Sequence, residues 1–186
     1  MNHLSENEFT PLTVVSIYIS PNQGKPMEEQ KEVTVIEGKG IVGDRYFLDT
    51  CDGYYNNHHE PNSERVMTLI SLEGIEEGNK AIREMGGTPL TPQETRRNLV
   101  VSVGLNTLSD LIEREFEVGD VRMKGVAPSL PCWRPPSLSG RPQDIAPFVK
   151  AFLKTCGIRA IPLTSGVIRA GDPIALPKLA VVECVS

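Results

Sequence analysis

Short apolar runs that read as strands, separated by glycine-rich and proline-rich turns, dominate this chain, and only a few stretches carry apolar residues at helical spacing. Thr13–Ser20 (TVVSIYIS) is rich in β-branched and aromatic residues and predicts a first strand, with a turn over Pro21–Lys25. Val33–Glu37 predicts a second strand, which runs into Gly38-Lys39-Gly40-Ile41-Val42-Gly43-Asp44-Arg45. Asp49–Ser63 is polar and irregular, hence a long surface loop. Val66–Ser71 predicts another strand. Leu72–Met85 has apolar residues at 72, 75, 82 and 85, a partial helical pattern stopped by Gly86-Gly87.

The next signal is local. Thr91-Pro92-Gln93-Glu94 places Thr at an N-cap, Pro at the first helical position and Glu at the third. That predicts a short helical turn delivering Arg96, Arg97 and Asn98 to a strand over Leu99–Val103. Thr107–Glu113 predicts a short helix, and strand Val121–Val126 leads into Leu130-Pro131-Cys132-Trp133-Arg134-Pro135-Pro136. Asp144–Cys156 predicts a helix with Ile145, Phe148, Phe152 and Cys156 on one side, Pro147 in its first turn and Gly157 as terminator. Strands over Arg159–Thr164, Ile174–Leu176 and Leu179–Val185 complete the pattern. Gly-Asp recurs at 43–44, 119–120 and 171–172 and reads as hairpin punctuation rather than a repeat. Strands outnumber helices, so the expected class is mostly β: a closed or partly open, largely antiparallel barrel with peripheral helices. Strand and long helix do not alternate regularly enough for a doubly wound fold. We expect an N-terminal tail over residues 1–12 and a single domain over 13–186.

Composition narrows the partners. A formal net charge of −5 argues against a general nucleic-acid binder, although net charge says nothing about a local basic pocket. The longest apolar runs fall far short of a membrane span, and the first eight residues lack the basic start and apolar centre of a signal peptide. These features predict a cytoplasmic protein. The four cysteines, at 51, 132, 156 and 184, form no C-x-x-C pair and no zinc-like cluster with histidine. Cys156 and Cys184 read as packing residues, and Cys51 has no assigned role.

Cys132 is the leading candidate for chemistry. Prolines on both sides forbid a regular helix or central strand and predict a stiff, non-repetitive loop. A nearby guanidinium, Arg134, favours thiolate, the nucleophilic and metal-binding form. The alternative is a small buried hydrophobe in a rigid turn. Arg96-Arg97-Asn98 is the second constellation: guanidinium forks match phosphate or carboxylate, and asparagine donates and accepts at once. Surface arginines are common, however, and composition alone favours two solvated arginines with Asn98 satisfying a turn. Gly38-x-Gly40-x-x-Gly43 lacks the following helix of a dinucleotide fingerprint and reads as a turn that places Asp44 and Arg45 near a pocket rim. His58 and His59, adjacent in an extended segment, point to opposite sides and suit a surface loop better than one metal ion, with a pocket lid as the minority view.

Taken together, these segments resemble the MOSC domain, the module named after the C-terminal part of molybdenum cofactor sulfurase. The resemblance rests on Gly40-Ile41-Val42-Gly43-Asp44-Arg45-Tyr46, on Thr95-Arg96-Arg97-Asn98-Leu99-Val100-Val101, on Phe116-Glu117-Val118-Gly119-Asp120-Val121 with Pro131-Cys132-Trp133-Arg134 downstream, and on Gly157-Ile158-Arg159-Ala160 through Val167-Ile168-Arg169-Ala170-Gly171-Asp172-Pro173. It covers roughly residues 13–177, in family order. It implies a β-barrel and a pocket for the phosphorylated pterin of molybdenum cofactor or a related sulfur-bearing ligand. Cys132 matches the family cysteine associated with ligating molybdenum or holding sulfur, which suits a soft thiolate. Arg96 and Asn98 match the R-x-N positions beside the anionic ligand, Asp44 and Arg45 match the early G-D-R, and Arg134 matches a basic residue after the cysteine in some relatives. Tyr46 stands where many relatives have histidine, and prolines stand where some have a second cysteine. An association with pyridoxal phosphate exists only at the level of the family, and we expect a stand-alone module without a desulfurase domain.

Three functions follow as expectations. The first is a molybdenum-cofactor-binding reductase of N-hydroxylated small molecules, with Cys132 as metal ligand and catalytic residue and a separate electron-donor protein. The second is a sulfur carrier bearing a persulfide on Cys132, loaded by a cysteine desulfurase. The third is a binding module that uses the pocket without chemistry.

Overall fold

The computed structural model describes residues 12–50 and 67–176. The predicted strand over 179–185, Cys51, Cys184, His58, His59 and most of the predicted polar loop lie outside those residues. The described part is mostly strand with four helices. Strands β1 (Thr13–Ile19), β2 (Glu28–Gln30), β3 (Glu32–Ile36), β4 (Gly40–Ile41) and β5 (Met67–Ser71) precede helix α1 (Leu72–Glu84). Strand β6 (Leu99–Ser102), helix α2 (Thr107–Asp110), β7 (Glu115–Val118) and β8 (Val121–Pro128) follow, then α3 (Arg134–Leu138) and α4 (Ile145–Phe152). Strands β9 (Ile158–Pro162), β10 (Gly166–Arg169) and β11 (Ile174–Ala175) end the described chain.

Eight strands form one curled sheet in the order β11-β7-β8-β9-β5-β6-β1-β2, and β10-β3-β4 form a second. Neighbours in the large sheet pair antiparallel except β5 and β6, which run parallel. The curl brings the two ends together at one corner. There Thr13 bridges Pro173, the Val14 N–H donates to the Asp172 carbonyl at 2.9 Å, and the Gly171 N–H donates to the Val14 carbonyl at 2.8 Å. The result is a half-barrel, the partly open form of the expected barrel.

The central strand β5 is buried along its whole length because both of its faces are covered. Met67 and Leu69 point into the barrel with Val14, Leu99, Met123 and Ile158. Ile70 points the other way, with Tyr18 and Val100, against Ile75 and Ile82 of α1 and Phe148 and Phe152 of α4. The two helices meet where the Phe152 ring lies on Gly78; a Cβ there would come within 2.7 Å of the ring. Ser71 caps α1 by accepting from the Gly74 N–H at 3.0 Å.

Several predicted boundaries shift for identifiable reasons. The helix expected over 144–156 covers only Ile145–Phe152, so Cys156 is buried in the turn beyond the helix rather than on its face. Thr107–Glu113 is helical only over Thr107–Asp110, and Glu113 has a left-handed φ of 64°. The prolines after Cys132 do not exclude helix: Pro135 and Pro136 occupy the first turn of α3, where a missing N–H has no partner to lose. Cys132 itself stays in irregular backbone just before that helix. No helix among the described residues is long and apolar enough to cross a membrane.

Candidate functional site

The capping box predicted at Thr91–Glu94 forms. The Thr91 N–H donates to Glu94 Oε2 at 2.8 Å, and the Glu94 N–H donates to Thr91 Oγ1 at 3.3 Å. It starts a single 3-10 turn over Gln93–Thr95, which Arg96 ends in the left-handed region at φ 61°. That reversal turns consecutive arginines into one cavity. Arg96 donates to the Lys25 carbonyl at 2.8 Å and the Gln23 carbonyl at 3.0 Å. Arg97 donates to the Cys156 carbonyl at 3.1 Å and to the Ser129 carbonyl.

Asn98, fully buried, lies beneath the cavity and does not line it. It accepts from the Thr68 N–H and hydroxyl at 3.1 and 2.9 Å and donates to the Tyr18 carbonyl and to Asp44 Oδ2. Asp44 is equally hidden and also receives the Ser20 N–H and the Tyr46 N–H. Its carboxylate pairs with the Arg45 guanidinium at 3.1 Å. Arg45 in turn stacks 4.5 Å above the Tyr46 ring and donates to the Arg96 carbonyl. The glycine turn thus places Arg45 at the cavity and Asp44 under it.

The cavity holds about 290 Å³. Arg45, Arg96, Arg97, Arg134 and Arg159 line it together with Cys132, and no carboxylate does so among the described residues. Tyr46, Pro128, Leu130 and Pro135 supply apolar wall. Of the expected site residues, Cys132, Arg45, Arg96 and Arg134 therefore meet in one cavity, while Asp44 and Asn98 support it from below. Cys132 is half-buried, flanked by Leu130 and Trp133, which are 65% and 53% exposed. The Arg134 guanidinium sits 5.1 Å from the Trp133 ring centroid.

Crowding of like charge and burial are visible in the arginines. Burial, then the neighbouring Arg45, push Arg96 down to about 10. Burial also lowers Arg97, opposed by Tyr46 and by the Cys156 and Cys132 thiols. Cys156 is a different kind of thiol, raised by burial and held in the wall behind Arg97.

Arg97, part of the Arg96-Arg97-Asn98 constellation, lines the cavity as that reading expects, whereas Arg159, Gln23 and Tyr46 line it without a binding role read from the sequence. Arg159 carried a readable signal: Ile158 and Ala160 face the core at period two, so Arg159 had to point to the other side of a central strand. Its β-partner is Thr68, and the two share the sheet face that carries Ile70.

Among the described residues, fold and cavity together define a half-barrel with a cationic cavity lined by one thiol. A family model for the MOSC domain matches residues 55–175, more than half of the chain, and the chain belongs to that family. Among solved structures it is similar to the YuaD protein of Bacillus subtilis, at 20% identity and a TM-score of 0.71, covering 89% of this chain and 97% of that one. YiiM of Geobacillus stearothermophilus matches at 17% identity and a TM-score of 0.59, covering 92% and 78%. YiiM of Escherichia coli matches at 17% identity and a TM-score of 0.57, covering 91% and 69%. At these identities the likeness is one of fold. No curated protein matches the sequence.

Proposed function

We propose that the cavity binds molybdenum cofactor and that the protein reduces N-hydroxylated small molecules. The observation that carries this reading is the donor set: among the described residues, five arginines and one half-buried thiol line one cavity and no carboxylate does. Those residues fit the group. Guanidiniums suit a phosphorylated, anionic pterin, and a thiol suits molybdenum as a soft donor. Arg159 lines the cavity, and its buried Nε has no hydrogen-bond partner among the described residues, which leaves this guanidinium available to a bound anion. Arg96, Arg97, Arg134 and Arg159 would hold the cofactor, Cys132 would ligate the metal, and Asp44 and Asn98 would fix Arg45 and the strand beneath. The cofactor supplies two-electron chemistry at molybdenum, and a separate electron-donor protein would supply the electrons. Tyr46, Pro128 and Leu130 supply apolar wall on one side of the cavity.

The test is metal content. Protein produced in a host competent to make the cofactor should carry molybdenum, and Cys132→Ala should carry far less. Equal metal in both proteins, or none in either, overturns the reading. The half-buried Cys132 thiol also supports a second reading, sulfur carriage. In that case incubation with a cysteine desulfurase adds one sulfur to the Cys132 peptide in a mass spectrum, and an unchanged peptide mass rules carriage out.

A further inference from the structure

Two residues that line the cavity each carry a buried polar atom with no hydrogen-bond partner among the described residues, and the two atoms are of opposite kind. Arg159 Nε is a donor and Gln23 Oε1 is an acceptor. An unsatisfied buried polar group is costly, and each one in a native structure calls for an explanation such as a bound partner. The other cavity guanidiniums are engaged within the protein. Arg45 is on Asp44, Arg96 and Arg97 each hold two backbone carbonyls, and Arg134 is on the Trp133 ring.

The acceptor is presented rigidly. Asn22 Oδ1 receives the Gly24 and Lys25 N–H groups at 3.1 Å each. The Ser20 hydroxyl lies 2.7 Å from the Asn22 carbonyl and 3.1 Å from the Lys25 carbonyl and shares its one proton between them, and Arg96 grips the Gln23 carbonyl. The turn is therefore tied at both ends, and Gln23 lines the cavity from it. The Arg159 backbone is equally fixed, since it sits in β9 between β5 and β8.

We propose that Gln23 and Arg159 form a recognition subsite for a cyclic anion that also carries an N–H or O–H group. The anion accepts from Arg159, and its N–H or O–H donates to Gln23. The apolar wall at Tyr46, Pro128 and Leu130 accepts the ring. This rests on reading the cavity as the binding site, but on neither molybdenum nor Cys132. The ring could belong to a cofactor or to a substrate; the chemistry read by the two side chains is the same.

The probes are orotate, with a carboxylate and two ring N–H groups, and 1,3-dimethylorotate, with the same charge and ring but no N–H. Binding is read by the fluorescence of Trp133, the single tryptophan of the chain, and by calorimetry. Wild type should bind orotate about tenfold more tightly than the dimethyl compound, the scale of one buried hydrogen bond. Gln23→Ala should weaken orotate about tenfold and leave the dimethyl compound unchanged. Arg159→Gln should weaken both. Circular dichroism melts confirm folded variants, and the comparison of the two probes on wild type needs no variant at all. Equal binding of the two probes to wild type, no saturable binding of orotate, or tighter binding of the dimethyl compound to Gln23→Ala would each overturn the subsite. Normal molybdenum loading without this pattern sinks the subsite alone; the pattern without loading sinks the cofactor reading alone. Cofactor-loaded protein that no longer binds orotate assigns the subsite to the cofactor ring, and loaded protein that still binds it assigns the subsite to a substrate.

Discussion

The Asp44 carboxylate and the Asn98 side-chain amide meet at 3.1 Å across 54 residues of sequence. That contact joins the turn carrying Arg45 to the start of the strand that follows Arg96 and Arg97. Asp44 Oδ2 also receives the Ser20 N–H and the Arg45 guanidinium, so a single buried oxygen holds three segments in register. The cationic cavity is built on this anion.

Asp44→Asn removes the carboxylate charge facing a buried guanidinium while keeping the side-chain shape. Breaking a buried charge pair from one side costs about 3–5 kcal/mol, much of it the desolvation of the remaining charge. Urea denaturation should show a loss of that size. A loss below about 1 kcal/mol would mean that solvent reaches Arg45 and that the pair is a surface one.

The capping box gives a prediction in pH. Burial works against the Glu94 carboxylate, but the Thr91 N–H and hydroxyl and the Arg141 guanidinium, which it meets at 2.7 Å, together hold it below the ordinary 4.5. A carboxylate whose folded pKa is depressed contributes stability that is fully present above the unfolded value. The contribution disappears as pH falls from 4.5 through the lowered folded value. Glu94→Gln should therefore be less stable than wild type at pH 7, and the difference should close below pH 4.5 in a series of urea titrations. A difference independent of pH would place the contribution in packing instead.

Local chemistry of this kind was legible in the sequence; long-range chemistry was not. The box at Thr91–Glu94 depends on neighbours only a few residues away and forms as read, whereas the glycine stretch before Asp44, read as a turn to a pocket rim, contains strand β4 and brings Arg45 but not Asp44 to the cavity. Strand β2 was missed because Glu-Glu-Gln has no apolar alternation; it pairs only with β1, through backbone. Strand β10 was missed because its partner, β3, lies more than a hundred residues earlier. Asn98 looked like a ligand residue because its real partners, Thr68, Tyr18 and Asp44, come together only in the folded sheet. The prolines after Cys132 misled in the other direction, since the same rigidity that breaks a helix interior begins a helix end.

Thiol reactivity should separate the two described cysteines. Cys132 is half-buried at a cavity, whereas Cys156 is 6% exposed and its pKa is raised by burial. Alkylation requires both access and thiolate. Brief treatment of native protein with iodoacetamide at pH 7.5, followed by peptide mapping, should label the Cys132 peptide and leave the Cys156 peptide unmodified until denaturant is added. Labelling of Cys156 first would place the accessible thiol behind the arginine wall and remove Cys132 from the site.

Gly157 is the hinge on which the cavity's back wall depends, and its substitution should be felt at Cys132. Its φ of 76° is a conformation that L side chains rarely adopt, and a Cβ would collide with the Leu69 carbonyl of β5. The left-handed strain alone costs about 1–3 kcal/mol, and the collision adds to it. Relief requires β9 to move from β5 or the peptide at 157 to rotate. Either motion disturbs the Gly157 carbonyl, which accepts from the Ser129 N–H at 2.9 Å, and the adjacent Cys156 carbonyl, which accepts from Arg97. Ser129 leads directly to the cysteine loop. Gly157→Ala should therefore lower the melting temperature and also change the iodoacetamide labelling rate of Cys132 at temperatures well below the melt. A stability loss with unchanged Cys132 labelling would show that strain at Gly157 is absorbed within the sheet and never reaches the cavity.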